Sequence, residues 1–199
     1  MQKPEIPDNE HLRFEALDAY KILDTLPEDE YDALTKIAAQ ICGTPIALVT
    51  LVDHNRQWFK SHHGLNATET PRDFAFCAHA INTPDELFII PDATKDERFH
   101  DNPLTTKDPN VVFYAGAPLN TKDGYSLGTL CVIDTKPREG LTENQQESLK
   151  ALANQVISQF ELRKKNRFLE DLNDEIIKKN VQLDQFAYRL THDLKVPIR

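Results

Sequence analysis

Hydrophobic positions near the N-terminus recur with the helical period and predict two helices. The first runs from about Glu10 to Leu23, and the second follows the segment Thr25-Leu26-Pro27-Glu28. In that segment a threonine stands three residues before a glutamate, which is the pattern of a capping box, and proline is tolerated in the first turn. One face of the second helix is apolar and is expected to pack on a core: Tyr31, Leu34, Ile37, Ala38 and Ile41. Gly43 is expected to end this helix.

From Pro45 onward the pattern changes to short β-branched and aromatic runs bounded by turn residues, which predict strands. The predicted strands are Ile46 to Val52, Gln57 to His62, Leu87 to Ile90, Val111 to Pro118 and Leu127 to Ile133. Between the last two, Asn120 to Gly124 predicts a hairpin turn, because Asp-Gly adopts positive φ at little cost. We therefore expect a mainly antiparallel sheet. The segment Thr68 to Asn82 is predicted as a loop and a short helix, and the polar segment Asp92 to Asn110 as a cover over one sheet face.

A second capping box, Thr142 to Gln145, opens a final helix, and no glycine or proline interrupts the chain from Leu141 to Val196. Its early apolar stripe is Leu149, Leu152, Val156 and Phe160. Beyond the stripe, one apolar residue recurs every seven positions: Leu162, Leu169, Ile176, Leu183 and Leu190. Leu172 and Phe186 form part of a neighbouring row, which Lys165 and Lys179 interrupt. A sustained seven-residue repeat predicts a coiled coil, most simply a parallel homodimer.

Composition narrows the classes of function. The chain has 199 residues, 40% hydrophobic and 28% charged, and a net charge of -9, which repels nucleic-acid phosphates and anionic lipids. No apolar run approaches the roughly 20 residues of a membrane span, and the N-terminus lacks a secretory signal, so a cytoplasmic location is expected. The three cysteines, Cys42, Cys77 and Cys131, form no C-x-x-C pair and suggest neither a disulfide framework nor a zinc site.

Several segments of the β-rich part resemble GAF domains. They are Arg72 to His79, Ile90 to Ala93, Tyr114 to Leu119 and Leu127 to Asp134, and the resemblance covers roughly Leu12 to Phe160. It implies an α+β fold in which a six-stranded antiparallel sheet carries helices on one face and a loop-covered pocket on the other. The expected organisation is an N-terminal helical segment (1–25), a GAF sensor domain (26–160), a coiled-coil signalling helix (161–185) and the start of a kinase dimerisation domain (186–199).

The resemblance also implies which residues face the pocket: Trp58, Phe76, Cys77, His79, Asp92, Arg98 and Tyr114. Aromatic walls with a few polar groups are typical of ligand sites, although an ordinary core contains the same residues. GAF domains bind cyclic nucleotides, tetrapyrroles, haem or small metabolites, and some bind no known ligand. The Asn-Lys-Phe-Asp-Glu set of cyclic-nucleotide-binding members is not recognisable here, so the ligand stays open.

Cys77 and His79 suggest two sharper alternatives. Phytochrome-like members place histidine directly after the cysteine that carries a bilin, whereas Ala78 intervenes here, and residues two apart on a helix do not jointly bind a metal. Some GAF-fold proteins reduce methionine sulfoxide, which would need an exposed Cys77 thiolate of low pKa. The sequence predicts no metal site and no firm cofactor for the GAF domain.

The C-terminal segment, Phe186 to Arg199, resembles the H-box of sensor histidine kinases. The resemblance implies that His192 is phosphorylated from ATP and passes the phosphoryl group to a response regulator. With Leu190 at heptad position a, His192 falls at position c and is expected to project away from the seam. Asp193 is expected to accept the Nδ1 proton and Lys195 to steady the phosphoryl charge, while Pro197 lacks an N–H and loosens the helix.

The kinase interpretation requires machinery that these residues do not supply. An ATP-binding domain would hold ATP and Mg, yet the chain has six glycines and none in a G-x-G arrangement. We therefore expect a segment of a longer histidine protein kinase that is inactive alone, with phosphatase activity in doubt because Val196 cannot orient water. The alternatives are a separate ligand-binding or dimerisation GAF module and, less favoured, a thiol redox enzyme using Cys77.

Overall fold

The computed structural model describes residues 1–193, with side chains described up to residue 189. The strands are β1 (Ile46–Val52), β2 (Arg56–His63), β3 (Glu69–Pro71), β4 (Phe88–Ile90), β5 (Phe113–Asn120) and β6 (Ser126–Asp134). The helices are α1 (Glu10–Tyr20), α2 (Asp29–Cys42), α3 (Phe76–Ala80), α4 (Pro103–Thr106) and α5 (Glu143–Asp193), with a 3-10 turn at Arg72–Phe74. The chain divides into a globular unit, Met1–Phe160, and a second unit that begins at Glu161.

The six strands form one antiparallel sheet in the order β3-β2-β1-β6-β5-β4. This confirms the predicted fold class. Hydrophobic periodicity predicts five of the strands but not β3, which lies where a loop was predicted. β3 has only three residues and ends in Pro71, so it shows no alternation, and proline is tolerated there because the strand lies at the sheet edge.

Alternation along the strands gives the sheet two buried faces. On β1, Ala47, Val49 and Leu51 belong to the core shared with α1, α2 and α5. Ile46 and Leu48, which alternate with them, belong to a second core on the opposite face. We call these the helix face and the cavity face of the sheet.

The bounds of the first two helices differ from the prediction at the end of α1, which is Tyr20 rather than Leu23, and at the start of α2. Gly43, at φ 62°, ends α2 as expected. The predicted capping box at Thr25 is wrong, because α2 begins at Asp29 and its N-cap residue, Glu28, makes no side-chain capping bond. The Thr25 hydroxyl instead donates to the Ile22 carbonyl and accepts a hydrogen bond from Lys60 Nζ at 2.8 Å.

The buried face of α2 is also rotated from the predicted one. Tyr31, Leu34 and Ala38 are buried as expected, but Ile37 and Ile41 are about 40% exposed. The positions that replace them in the core are Thr35, Ala39 and Cys42. The apolar stripe of a helix is wide enough that either of two neighbouring rows of side chains could face the core. Packing of α2 against β2 and β1 determines which row is buried.

The second predicted capping box is confirmed. Thr142 Oγ1 accepts from the Gln145 backbone N–H at 3.3 Å, and the Gln145 side chain accepts from the Thr142 N–H at 3.0 Å. Of the early stripe, Leu149, Val156 and Phe160 are fully buried. In the second unit, Leu162, Leu169, Ile176 and Leu183 are each more than half exposed in the single chain. No helix among residues 1–193 has the length and apolarity that a membrane span requires.

Candidate functional site

A cavity of about 560 Å³ lies on the cavity face of the sheet. Apolar side chains from β1, β2, β5, β6 and α3 form its walls: Ile46, Leu48, Phe59, Phe76, Tyr114 and Ile133. Gly64 in the β2–β3 loop, Leu104 of α4 and Val111 complete the rim. The cavity therefore lies between the sheet and the loop-rich cover that the sequence predicted over one face.

The aromatic part of the wall is held in a fixed arrangement. The Phe76 ring stacks on Phe99 with centroids 4.0 Å apart and lies 5.2 Å from the Tyr114 ring. The Tyr114 hydroxyl is hydrogen-bonded to Thr129 Oγ1 at 3.0 Å. Gly116 makes room for that ring, because a Cβ at this position would lie 2.5 Å from the Tyr114 hydroxyl oxygen. These contacts preorganise a flat, rigid wall.

Two strand residues bring polar side chains to the cavity, and sequence reasoning missed both. Gln57 of β2 and Thr70 of β3 are direct cross-strand partners, and each lines the cavity. Asn66, Asp108 and Thr135 also line it but are exposed at its mouth. Alternation along β2 could have placed Gln57 on this face, but β3, which carries Thr70, was not predicted.

Only two of the seven predicted pocket residues, Phe76 and Tyr114, line the cavity. The prediction that Trp58 faces the pocket is wrong, because its ring is buried in the core on the helix face. Trp58 lies between Gln57 and Phe59 on β2, and both of those neighbours line the cavity. Successive side chains on a strand point to opposite faces, so Trp58 cannot join them.

Cys77 does not reach the cavity either. It is fully buried in a small apolar cluster with Val52, Ala75, Ala78 and Ile81. α3 is little more than one turn long, so Phe76 on the cavity side leaves the adjacent Cys77 on another side. Burial raises the pKa of the Cys77 thiol, and it raises that of Cys131 to about 12. Neither environment favours the thiolate that redox chemistry needs.

His79, Asp92 and Arg98, predicted as pocket residues, lie outside the cavity lining. The His79 ring meets the Phe99 ring edge-on with centroids 4.9 Å apart, and burial lowers the pKa of His79. Arg98 pairs with Asp96 at 2.7 Å, and its backbone carbonyl accepts from the N–H of Gln2, so the N-terminal segment packs over this region. Asp92 pairs with Lys95 at 2.9 Å. Packing in the cover, which local sequence does not encode, separates these residues from the cavity.

The structure describes the predicted phosphoacceptor region in part. The backbone of α5 continues to Asp193, so His192 and Asp193 lie on the same helix as the core residue Phe160. Their side chains, together with Lys195 and Pro197, lie outside the described residues. Within residues 1–193, no group of three or more His, Cys, Asp or Glu side chains is arranged to hold a metal ion.

Comparison with known proteins agrees with this fold. The family described as GAF domain matches residues 27–159. A cyclic di-GMP phosphodiesterase of Pseudomonas aeruginosa is 37% identical over 171 residues, which are 86% of this chain and 29% of that protein. The chain thus spans less than a third of that relative.

The solved structures of similar fold include two GAF domains. The GAF domain of an Acinetobacter phosphoenolpyruvate-protein phosphotransferase has a TM-score of 0.55 at 18% identity, covering 77% of this chain and 94% of that one. The blue-light absorbing form of the Thermosynechococcus elongatus PixJ GAF domain has a TM-score of 0.56 at 14% identity, covering 87% and 98%. At these identities the likeness concerns the fold alone.

Proposed function

This chain belongs to the GAF domain family, and from that premise we propose that it is the sensory input segment of a two-component sensor histidine kinase in which His192 is the phosphoacceptor. The observation that carries the proposal is the sequence from Phe186 to Arg199, which resembles the H-box and contains His-Asp-Leu-Lys-x-Pro. It follows a seven-residue apolar repeat on α5, the helix that begins in the GAF core. The order along the chain is therefore a sensor domain, a connecting helix and a phosphoacceptor, which is the order expected if the sensor regulates the kinase through the helix.

The residue roles follow from imidazole chemistry. Nε2 of His192 attacks the γ-phosphorus of ATP, so that an N–P bond forms while the bond to the ADP oxygen breaks. Asp193 accepts the Nδ1 proton and fixes the reactive tautomer. Lys195 offsets charge on the phosphoryl oxygens, and Pro197 leaves the Asp193 carbonyl without its helical donor. An ATP-binding domain in the full-length protein would supply ATP and Mg, and a response-regulator aspartate would receive the phosphoryl group.

Regulation would begin at the cavity and proceed along α5. Phe160 of α5 lies between the rings of Tyr20 and Tyr31, with centroid distances of 5.8 and 5.5 Å. The first part of α5 is therefore packed into the same globular unit that contains the cavity. A ligand that changes this packing would alter the helix pair of a homodimer, and with it access to His192.

Phosphorylation of the full-length protein with γ-labelled ATP tests the proposal. We expect acid-labile label in the wild type and none in His192→Gln. His11→Gln is the matched control, because His11 is an exposed histidine on α1 far along the chain from His192. Retention of acid-labile label by His192→Gln would refute the assignment.

A second candidate is the input segment of a cyclic di-GMP phosphodiesterase, which the 37% identity to such an enzyme favours. In that case the full-length protein would hydrolyse cyclic di-GMP at the same rate with or without His192, and it would take no label from ATP. If the full-length protein has neither activity but still binds a ligand, the result would support a separate ligand-binding GAF module.

A further inference from the structure

We propose that the cavity binds an uncharged, planar ligand through an amide-like edge, and that Gln57 and Thr70 recognise that edge. The proposal rests on the proposed sensory function, because it names the chemical class of the signal that the cavity receives. Three properties of the lining support it: its adjacent polar groups, its charge and its shape.

The two polar groups are adjacent, and the Thr70 hydroxyl is buried without a partner in the described part of the chain. Gln57 and Thr70 face each other across β2 and β3, and cross-strand neighbours have Cβ atoms roughly 5 Å apart. Gln57 is only 5% exposed, and it lines the cavity beside Thr70.

Such groups favour a ligand that completes their hydrogen bonds. A buried polar group without a partner destabilises a fold by about 1–3 kcal/mol, so native structures seldom leave a hydroxyl such as that of Thr70 unsatisfied. The glutamine amide offers one donor group and one acceptor, and the threonine hydroxyl can serve as either. The complement is a neighbouring N–H and C=O, as in a lactam or the edge of a nitrogen heterocycle.

The charge of the lining argues against an anion. None of the described residues that line the cavity is Lys, Arg or His, and the one carboxyl group among them is the exposed Asp108. A phosphate or carboxylate would lose its water there and gain no counter-charge. A buried cation would also lose its water among apolar walls, because the one lining carboxylate, Asp108, is exposed to solvent, so we infer a neutral ligand.

The shape of the cavity favours a flat ring system. Phe59, Phe76 and Tyr114 present aromatic rings, and the Tyr114 hydroxyl is already hydrogen-bonded to Thr129, so this wall is apolar. Aromatic partners prefer offset stacking or edge contacts with rings. A volume of about 560 Å³ holds a ligand of several rings, since small-molecule sites span roughly 300–1,000 Å³.

Calorimetric titration of the 199-residue chain with three matched probes tests the proposal. The probes are 2-quinolone, which has the N–H and C=O edge; quinoline, which has the same rings without that edge; and quinoline-2-carboxylate, which is an anion. We expect 2-quinolone to bind at least about tenfold more tightly than either of the others, the effect of roughly one to two hydrogen bonds. Failure of 2-quinolone to bind, or equal affinity for quinoline or the carboxylate, overturns the proposal.

Variants locate the interaction. Gln57→Met and Thr70→Val keep side-chain size and remove hydrogen bonding, and each should weaken 2-quinolone binding about tenfold. Thr68→Val, at an exposed position of the β2–β3 loop outside the cavity lining, is the matched control and should bind as the wild type does. Wild-type affinity in both Gln57→Met and Thr70→Val, with folding verified by thermal unfolding, refutes the roles of these residues.

The binding measurement is independent of phosphorylation. His192→Gln should bind 2-quinolone as the wild type does. Binding with no labelling of His192 in the full-length protein would refute the kinase and leave this site standing, whereas labelling without binding would refute this site alone.

Discussion

Arg13 and Glu10 form an ion pair with two hydrogen bonds inside the globular unit, from Arg13 Nε to Glu10 Oε2 at 2.6 Å and from Nη2 to Oε1 at 3.0 Å. Arg72 Nη1 also contacts Glu10 Oε1 at 2.5 Å, so one carboxylate serves two guanidinium groups. Arg13 Nη1 donates to the Val52 carbonyl at 2.7 Å. The cluster therefore fastens α1 to the end of β1 and to the turn that leads into α3.

Glu10→Gln should destabilise the protein by roughly 3 kcal/mol at pH 7, because two buried cations lose their counter-charge. Burial alone would raise the pKa of Glu10, but the hydrogen bonds and charges of Arg13 and Arg72 outweigh burial and hold this pKa below its usual value. The stabilisation is therefore complete above the unfolded pKa of about 4.3 and is lost as the pH falls through the lower folded value. Urea unfolding at pH 7 and at successively lower pH measures the difference.

Glu15→Gln is the control for that measurement. Glu15 lies on the same helix and pairs with the exposed His11, so its loss should change stability by less than about 0.5 kcal/mol. Equal effects of the two substitutions, or a Glu10 effect that persists unchanged through the acid range, would contradict the assignment.

The three cysteines should be unreactive in the folded protein. Cys42, Cys77 and Cys131 are all buried, and burial raises the pKa of each thiol. With an aromatic disulfide reagent at pH 8, we expect the reagent's thiolate to be released slowly from the native protein. In denaturant, three equivalents per chain should be released rapidly. Cys77→Ser should behave in the same way but release two equivalents in denaturant. A rapid native equivalent that disappears in Cys77→Ser would revive the thiol redox alternative.

Gly128→Ala should be strongly destabilising. A Cβ at Gly128 of β6 would lie 1.9 Å from the Thr50 carbonyl oxygen, so two central strands of the sheet would have to separate. We expect a loss of roughly 3 kcal/mol or more. Gly124→Ala is the control: it meets open space in the hairpin turn, although its φ of 85° should still cost about 1 kcal/mol. Denaturant midpoints compare the two, and similar losses would show that the sheet accommodates the methyl group.

The proposed homodimer depends on the apolar seam of α5. Ile176 and Leu183 are 56% and 64% exposed in the single chain, and both fall on the seven-residue repeat. Ile176→Asp with Leu183→Asp should shift the chain from dimer to monomer, because each places a charge in the expected seam. Val181→Asp is the matched control, since Val181 is 51% exposed on the same helix but lies off the seam. Light scattering after size-exclusion chromatography measures the mass, and a monomeric wild type would contradict the prediction.

Local patterns determined much of the fold from the sequence alone. β1 begins and ends where its run of aliphatic and β-branched residues predicted, Gly43 ends α2, and the Thr142 to Gln145 capping box opens α5. Each depends on backbone preferences or hydrogen bonds within a few residues, which a short segment specifies by itself. The family resemblance added the sixth strand and the position of a pocket.

The cavity lining was decided by tertiary structure. Phe76 and Tyr114 line it as predicted, but Trp58 lies on the other sheet face, Cys77 lies in a separate cluster, and Gln57 and Thr70 were not foreseen. A one-residue difference in strand phase changes the face that a side chain occupies, and β3 exists because β2 offers it a hydrogen-bonding edge. Partners distant in sequence fix phase and edge, so only the folded chain decides which polar groups meet in the cavity.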